Sequence, residues 1–479
     1  MRVSVAFVAL IIYSYTLGSA YSDNKNADDD AIDDDWAVAF DQSLGGQVPA
    51  PRKKPLTLKE ARANKCNMQP PFLYLTYHDA GKVTKFTRDG CFIEDQVLRG
   101  PILGPGRPEF RQMALGPYRD MKNVLYIAQG HADQPQIMVF GECVMSSGAP
   151  EEKVSLKEEV EEREDGLGST IKGDRNLKDK DYAQFLDNGP VKTGQREMIA
   201  IITANQVEKE LGEQFGEGTS WTRSRAAKHA FGLAIEFDPH PMDMAPEGPW
   251  EGPLYASFQH TDIVMRFAGP NLTEAPLPPA LATSGDGTQQ TKPYYNGTFH
   301  QFGQPGKHPG HMPKVSQEEQ GVRGVIVCGT NVWIANENIG GILVLNKISG
   351  LVEQVIQVVN PISMFHYRVL PADELQAARG VGGDLMGDNL VYVSSKKKGN
   401  RGKVLAIADD SFQVVREYHC DGMAHPAGLT VYNKILYVVE QFQEVVHSFD
   451  TVSGKYLGTI IDKKSMPYDR IEHIALSPC

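Results

Sequence analysis

The C-terminal part of the chain contains four short apolar segments separated by turn residues, and this unit limits the possible folds more than any other feature. Residues 426–461 read PAGLTVYNKILYVVEQFQEVVHSFDTVSGKYLGTII. Short apolar runs, in part alternating with polar residues, occupy 428–431, 435–439, 445–449 and 456–461. Such alternation predicts β-strands, and Asn433-Lys434 and Ser453-Gly454 predict the turns between them. The segment therefore predicts four antiparallel strands.

The same unit recurs along the chain. Residues 322–358 repeat it, and a third copy runs from Phe365 through 390–395, 402–409 and 412–418. Three earlier copies are incomplete or interrupted: 72–98, with its third strand expected at 91–98, then 111–141 with 196–203, and 231–269. Four antiparallel strands in about forty residues form the blade of a β-propeller. The sequence predicts an all-β, six-bladed β-propeller with two loop or helical insertions.

The last strand is expected to close the ring. The copy that begins at Phe72 lacks its innermost strand, whereas IEHIALS at 471–477 is an inner-type strand without a blade. Pairing of the two would remove the open sheet edges. It would also bring Cys479 near Cys66, which predicts a Cys66–Cys479 disulfide; a chance terminal cysteine is the alternative. A Cys91–Cys143 bridge between adjacent blades is a second candidate, and Cys328 and Cys420 are expected not to pair with each other.

The segments outside the repeats indicate secretion. Residues 1–20 have the basic start, short apolar run and small residues of a signal peptide. Residues 21–65 form an acidic arm that is expected to be largely disordered, and residues 66–479 the propeller, with insertions at about 146–193 and 270–320. The sequons at Asn271 and Asn296 are candidate glycosylation sites. The net charge of −12, with scattered Lys and Arg, argues against a nucleic-acid partner, and no later segment is long enough to span a membrane.

Within these repeats, HPAGLTVYNKILYVVEQ and VVHSFD at 425–450 resemble the NHL-repeat pattern. The pattern has a Pro-x-Gly entry, a second strand with a tyrosine, and an outer V-x-x-F strand. The chain is thus similar to the six-bladed secreted propellers: NHL-repeat proteins, gluconolactonase-like and strictosidine-synthase-like enzymes, and paraoxonases. The resemblance implies a fold rather than an activity. It also implies a covalent link between the ends of the ring, since paraoxonases have such a disulfide.

Candidate site residues lie in the loops at one mouth of the expected channel. When the blades are aligned, the loops between the second and third strands place histidines at equivalent positions in three blades, each followed by an aspartate. The loops before the inner strands add two more. The candidates for catalysis are His78, His131, His260, His229 and His425. Imidazoles and carboxylates on a rigid rim can bind metals or act as general bases. The alternative is that His and Asp are ordinary turn residues there.

The resemblance implies a more specific metal site. Gluconolactonase-like enzymes hold a divalent cation in the channel through Glu, Asn and Asp side chains. Glu337, Asn338 and Glu440 are the matching candidates, although the full ligand set is not matched. Ca²⁺ or Zn²⁺ would be the cation, and no organic cofactor is expected.

The leading functional hypothesis is an extracellular binding module. Its loop-lined mouth would recognise a protein, a glycan or a small molecule. A metal-dependent hydrolase of the lactonase or arylesterase type is the second hypothesis, and a cell-wall or matrix protein is the third. The sequence has no Gly-x-Ser-x-Gly, phosphate-binding glycine loop or HExxH motif, which argues against the corresponding enzyme classes.

Overall fold

A computed structural model describes most of the repeat region. The described residues are 51, 53–78, 80–95, 97–99, 109–118, 121–130, 136–143, 195–203, 230–235, 254–259, 263–267, 298–301, 321–337, 340–347, 352–367, 389–397 and 401–478. All belong to the compact unit Val48–Cys479, and the unit Met1–Gln47 lies outside them. The predicted signal peptide, most of the acidic arm, most of both insertions, and the sequons at Asn271 and Asn296 also lie outside the described residues.

The described chain forms one short helix, α1 (Leu58–Ala63), and six sheets in a β-propeller arrangement, antiparallel except for one short parallel pair. The strands of the first two sheets are β1 (Phe72–Tyr77), β2 (Lys82–Phe86), β3 (Phe92–Glu94), β4 (Leu98–Arg99), β5 (Phe110–Tyr118), β6 (Met121–Gln129), β7 (Gln136–Phe140) and β8 (Arg196–Thr203). The third and fourth sheets contain β9 (Ala230–Ile235), β10 (Leu254–Phe258), β11 (Ile263–Phe267), β12 (Thr298–Gln301), β13 (Val322–Cys328), β14 (Asn331–Asn336), β15 (Gly341–Asn346) and β16 (Val352–Gln357).

The last two sheets contain β17 (Pro361–Tyr367), β18 (Leu390–Ser395), β19 (Lys403–Ala408), β20 (Val414–Tyr418), β21 (Pro426–Tyr432), β22 (Ile435–Glu440), β23 (Val445–Asp450) and β24 (Tyr456–Ile461), and β25 (Ile471–Ser477) follows them. Five sheets have four strands, as a propeller blade has, and one has five. The strands predicted for the last three copies are confirmed.

Burial falls from the middle to the outer edge of the last three sheets. Strands such as β15, GILVLN, and β22, ILYVVE, are almost wholly buried because neighbouring sheets cover both of their faces. The outer strand β16, VEQVIQ, is exposed at five of its six positions. This difference explains why the middle strands are continuous apolar runs while the outer strands alternate.

The hydrophobic core lies between the sheets. One cluster combines Trp333 and Val344 of the fourth sheet with Val391 and Ile407 of the fifth. Four similar clusters join the first sheet with the second, the third with the fourth, the fifth with the last, and the last with the first. The inner strands also touch in a circle, in the order β25, β5, β9, β13, β17, β21 and back to β25.

The C-terminal strand pairs with the first repeat, as predicted. β25 is antiparallel to β1, with Phe72 opposite Ser477 and Leu75 opposite Ile474. The N-terminal repeat that contains β1, β2 and β3 has no inner strand of its own, and β25 supplies it. The strand order of this sheet is β25-β1-β2-β3.

Two outer strands differ from the prediction. The third strand of the first copy was expected at 91–98, but β3 ends at Glu94, and Leu98–Arg99 instead pairs in parallel with β8 of the next sheet. The outer strand of the third sheet is β12, which lies inside the predicted insertion 270–320 and pairs with β11. Its sequence, TFHQ, is too short to show a period of two, so sequence patterning did not reveal it.

The end of the predicted arm is ordered. α1 begins with a capping box in which Thr57 and Glu60 bind each other's backbone N–H groups. Leu56 N donates to Phe92 O at 2.9 Å, and Asn67 N donates to Asp89 Oδ2 at 2.9 Å. Residues 56–67 therefore lie beside the β2–β3 turn, so the expected disorder does not extend through residue 65.

This position of residues 56–67 overturns the predicted disulfides. Cys66 bonds to Cys91, with 6.0 Å between the Cα atoms, because the segment brings it to the start of β3 rather than to the chain end. The predictions of Cys66–Cys479 and Cys91–Cys143 are both wrong. Cys143 is disulfide-bonded too, while Cys328 and Cys420 are not in disulfides, which confirms that these two do not pair. Cys479 lies outside the described residues.

Candidate functional site

One end of the ring, which we call the mouth, is organised by a repeated backbone hydrogen bond. The residue that follows the second strand of a sheet donates its N–H to the carbonyl just before the inner strand. The five described cases are His78 to Arg470 (2.9 Å), Gly130 to Glu109 (2.8 Å), Glu337 to Gly321 (2.8 Å), Lys396 to Asn360 (3.0 Å) and Gln441 to His425 (3.1 Å). These bonds bring the loops between second and third strands to the same end of five sheets.

Each inner strand carries a β-bulge near the mouth. Phe110 pairs with Gln129, but the next pair is Met113 with Ile127, so residues 111 and 112 are accommodated opposite a single position. The pairings of β13, β17 and β21 shift in the same way, and β25 is irregular at the corresponding place. Bulges re-aim side chains and are frequent next to functional sites. Here they carry Arg111, Arg323 and Glu472.

Side-chain hydroxyls of second strands connect to the inner strand of the next sheet beneath the mouth. Thr76 Oγ1 donates to Arg111 O at 2.9 Å, Ser257 Oγ donates to Arg323 O, and Ser394 Oγ lies 3.5 Å from Ala427 O. The strands approach closely enough that a Cβ on Gly428 would lie 2.6 Å from His473 Cα. Glycine is therefore required there for the two strands to pack, and the mouth has a rigid base.

A network of charges joins the second, first and last sheets around Glu472. Arg111 Nη1 lies 3.1 Å from Glu472 Oε1, and Arg111 Nη2 lies 3.3 Å from Glu109 Oε2. His78 Nε2 is 3.6 Å from Glu109, and Gln441 Nε2 donates to the second oxygen of Glu472. Burial raises the pKa of Glu472, but Arg111, His78 and His425 together hold it below its usual value.

A second network joins the fourth and fifth sheets around Glu337. Arg323 Nε donates to Glu337 Oε2 at 2.6 Å, and Lys396 Nζ lies 3.6 Å from Oε1. Burial acts to raise the pKa of the Glu337 carboxyl, but the attraction of Arg323, Lys396 and His425 lowers it below its usual value. Both oxygens of this carboxylate are therefore held by cations that the protein itself supplies.

His425 lies between these networks. Burial, together with Lys396, lowers the pKa of His425 to about 4, against the opposing effect of Glu337 and Glu472. Its Nδ1 is enclosed and makes no hydrogen bond to a described residue. Its ring is 4.8 Å from that of Phe442, in an edge-to-face arrangement. His425 is consequently neutral near pH 7.

Glu440 has a structural position rather than a metal-binding one. Its carboxylate accepts backbone N–H groups from Ala424 (3.2 Å), His425 (2.9 Å) and Phe442 (3.3 Å). Burial nevertheless raises the pKa of Glu440 to about 7. Glu440 and Glu337 are not at equivalent positions, because Glu440 ends its strand whereas Glu337 follows one, and successive residues face opposite ways.

Two phenylalanines complete the mouth. Phe231 lies beneath it, with the Arg323 guanidinium 5.1 Å and the Arg111 guanidinium 5.9 Å from its ring centre. Phe442, in contrast, is 57% exposed beside His425. Among the described residues, the mouth thus combines paired charges with the exposed aromatic ring of Phe442.

Inner strands from all six sheets line a channel cavity of about 310 Å³. Met113, Met364 and Leu429 are among its apolar lining residues, and Gln112, Thr430, His366 and His473 are the polar ones. His473 Nδ1 accepts the Met113 N–H at 3.3 Å, and burial lowers its pKa to about 4. The channel lining thus mixes apolar and polar side chains.

The structure places some of the predicted site residues at the mouth. His78, His425 and Glu337 join its charge networks, and Glu440 braces the loop at His425. His131, His229, His260 and Asn338 lie outside the described residues. Sequence analysis missed Arg111, Arg323 and Glu472, although each is the second residue of its inner strand, and aligning the inner strands would have revealed them.

The described carboxylates do not fit the implied Ca²⁺ site. A calcium ion takes six to eight oxygen ligands. Glu337 is bound by Arg323 and Lys396, and Glu440 is bound by backbone N–H groups. A cation at either side chain would have to share its oxygens with these donors, and next to Glu337 it would meet the positive charges of Arg323 and Lys396.

Comparisons with known proteins give weak structural likenesses. No protein-family model matches the sequence, and no curated protein does so either. A solved chain of a nidogen–laminin complex is similar at a TM-score of 0.40 and 11% identity, over 85% of this chain and 98% of that chain. A protein of unknown function from Bacteroides caccae is similar at a TM-score of 0.41 and 8% identity, over 85% and 99%.

A predicted 6-phosphogluconolactonase from Bacteroides fragilis is similar at a TM-score of 0.35 and 12% identity, over 85% of this chain and 97% of that chain. Scores and identities this low carry no functional argument. In the part of the chain that the structure describes, no helix has the length and apolarity needed to cross a membrane.

Proposed function

We propose that the chain is a secreted, six-bladed propeller, closed by its C-terminal strand, that binds an extracellular protein at the mouth. The circle of contacts between the six inner strands and the pairing of β25 with β1 support the closed ring. The signal-like residues 1–20 and the Cys66–Cys91 disulfide support secretion. The acidic arm and the glycosylation sites belong to the same proposal.

The pairing of Glu337 with Arg323 and Lys396 is the observation that favours binding over metal-dependent hydrolysis. The carboxylate that the resemblance would give to a metal is already neutralised by two cations of the protein. Fixed, mutually paired charges form a preorganised polar surface, which confers specificity in protein recognition. Phe442 adds an exposed aromatic ring of the type that is enriched at such interfaces.

The test is a binding screen with a matched pair of variants. The purified protein is passed over immobilised extracellular proteins and glycans, alongside Phe442→Ala and Leu457→Ala. Leu457 is 50% exposed on β24, the outer strand of the same sheet, so it controls for loss of an exposed apolar side chain away from the mouth. We expect a protein ligand whose affinity falls at least tenfold in Phe442→Ala and stays unchanged in Leu457→Ala.

Two outcomes would contradict this proposal. One is a set of ligands that bind both variants equally, which would move recognition away from the mouth. The other is turnover of lactones or aryl esters that disappears on chelation, which would establish the hydrolase alternative.

A further inference from the structure

Three metal-ligating side chains meet at the end of the ring opposite the mouth. Cys328 is the last residue of β13, His366 lies in β17, and Asp409 follows β19. They come from adjacent sheets and form the one group of three potential ligands found among the described residues. No sequence motif links them, because the spacing between them is set by the propeller.

The distances match one face of a zinc tetrahedron. Cys328 Sγ lies 3.3 Å from His366 Nε2 and 3.3 Å from Asp409 Oδ2, and the last two atoms are 3.5 Å apart. Zinc–sulfur and zinc–nitrogen bonds of about 2.3 and 2.0 Å at tetrahedral angles give edges of roughly 3.3–3.6 Å. An ion could therefore bind with little movement of the three side chains.

The arrangement does not suit a cysteine nucleophile with a histidine base. In such a triad the acid binds the ring nitrogen remote from the nucleophile. Here the thiol and the carboxylate both lie against Nε2 of His366. A shared metal ion requires that the three ligand atoms face one point, as they do here, whereas a catalytic triad requires that they form a chain of hydrogen bonds.

The burial and charge of the cluster also fit an ion. Cys328 is 5% exposed, and the His366 and Asp409 side chains are 11% and 20% exposed. A thiolate, a carboxylate and a neutral imidazole carry two negative charges, which Zn²⁺ would neutralise. A thiolate disfavours Ca²⁺ and Mg²⁺, which take oxygen ligands.

We propose that Cys328, His366 and Asp409 bind Zn²⁺ and so connect the fourth and fifth sheets. Three protein ligands leave a fourth position for water or another ligand. His366 also lines the central channel, so the site lies beside that cavity. The proposal is independent of ligand binding at the mouth.

The decisive experiment measures zinc directly. The full-length secreted protein is stripped with chelator, dialysed against buffered zinc and analysed by elemental mass spectrometry, with Cys328→Ser, Asp409→Asn and the control Cys420→Ser. Cys420 is the other described cysteine outside a disulfide. We expect one zinc per chain in the wild type and in Cys420→Ser, and at least tenfold weaker binding in the other two variants.

Cobalt substitution and alkylation provide readouts that do not depend on folding of the variants. Co²⁺ should give a thiolate charge-transfer band in the wild type, and zinc should slow alkylation of Cys328 but not of Cys420. Failure of the wild type to retain zinc, equal retention by Cys328→Ser, or equal alkylation of Cys328 with and without zinc would each overturn the proposal.

Discussion

The two ends of the central channel are built by the same inner strands but use different chemistry. At the mouth, carboxylates are neutralised by Arg111, Arg323 and Lys396, whereas at the opposite end Asp409 meets a thiol and an imidazole. The disulfide-bonded Cys143 follows β7, three residues beyond the end of that strand remote from the mouth. The mouth should therefore respond to pH and salt, and the opposite end to redox state and metals.

The largest expected effect tests the sulfur chemistry. The chain has six cysteines; Cys66 bonds to Cys91, and Cys328 and Cys420 are not in disulfides, so elimination predicts Cys479 as the partner of Cys143. A non-reducing peptide map should recover this pair. Cys143→Ala should lower the free energy of unfolding by about 2–5 kcal/mol, since the bond closes a long loop.

Cys420→Ala is the control for this prediction and should keep wild-type stability within about 1 kcal/mol if its packing is preserved. The prediction of a Cys143–Cys479 disulfide would be wrong if Cys143 were recovered bonded to another cysteine, or if it were alkylated in the native protein.

The second prediction tests the ion pairs of the mouth. Arg323→Met leaves Glu337 largely buried beside a single, more distant cation and should cost about 2–4 kcal/mol in urea unfolding, because an unpaired buried charge is strongly destabilising. The matched control is Lys403→Met, which breaks the exposed Lys403–Glu417 pair and should cost at most about 1 kcal/mol. Equal costs would mean that burial does not distinguish the mouth pair from a surface pair.

The third prediction concerns pH. Burial raises the pKa of Glu440 from 4.5 to about 7, so the folded state binds more protons than the unfolded state between these values. Protonated Glu440 therefore makes its full contribution to the free energy of unfolding below pH 4.5, and this contribution is lost as the pH rises through 7. Glu440→Gln should therefore gain about 1–3 kcal/mol relative to the wild type between pH 4.5 and 7.5.

The histidines act in the opposite direction over part of the same range. The pKa values of His425 and His473 are lowered to about 4, so their contribution is present above pH 6.5 and is lost as pH falls toward 4. Unfolding of the wild type and of Glu440→Gln, measured at the same pH values, separates the titration of Glu440 from that of the histidines, because the histidines are present in both proteins. A constant difference between Glu440→Gln and the wild type across pH would contradict the raised pKa.

The smallest expected effect is that of Phe442→Ala on stability. The ring is mostly exposed, so its removal should change the free energy of unfolding by less than about 0.5 kcal/mol. A melting curve that overlays that of the wild type would show that any loss of binding by this variant is local. A large loss of stability would instead make Phe442 a structural residue of the mouth.

The sequence predicted the repeating sheets because each middle strand is buried on both faces and must be apolar along its length, as in ILYVV at 435–439. It predicted the pairing of β25 with β1 because a strand without a sheet and a sheet without a strand occur at opposite ends of the chain. β12 and the shortened β3 were not predicted, since outer strands are short and partly exposed and need no apolar pattern.

The candidate site was less predictable than the fold. His78, Glu337 and His425 were found because loop residues at equivalent positions can be aligned. Arg111, Arg323 and Glu472 share the second position of their inner strands, which an alignment of those strands would have shown. The bulges that present them depend on strand pairing, which the order of residues alone does not reveal. The same holds for Cys328, His366 and Asp409, which are separated by tens of residues and meet only in the folded chain.

The short crossover through Leu98–Arg99 couples the first two sheets. Val97 N lies 3.4 Å from Val83 O in the first sheet, while Val97 O accepts the Arg196 N–H of the second at 2.8 Å. Neither sheet can peel from the ring without breaking backbone bonds of the other. In native-state hydrogen exchange, the amides of Val97 and Arg196 should thus become accessible together. We expect the same cooperative opening to include the pairing of β25 with β1.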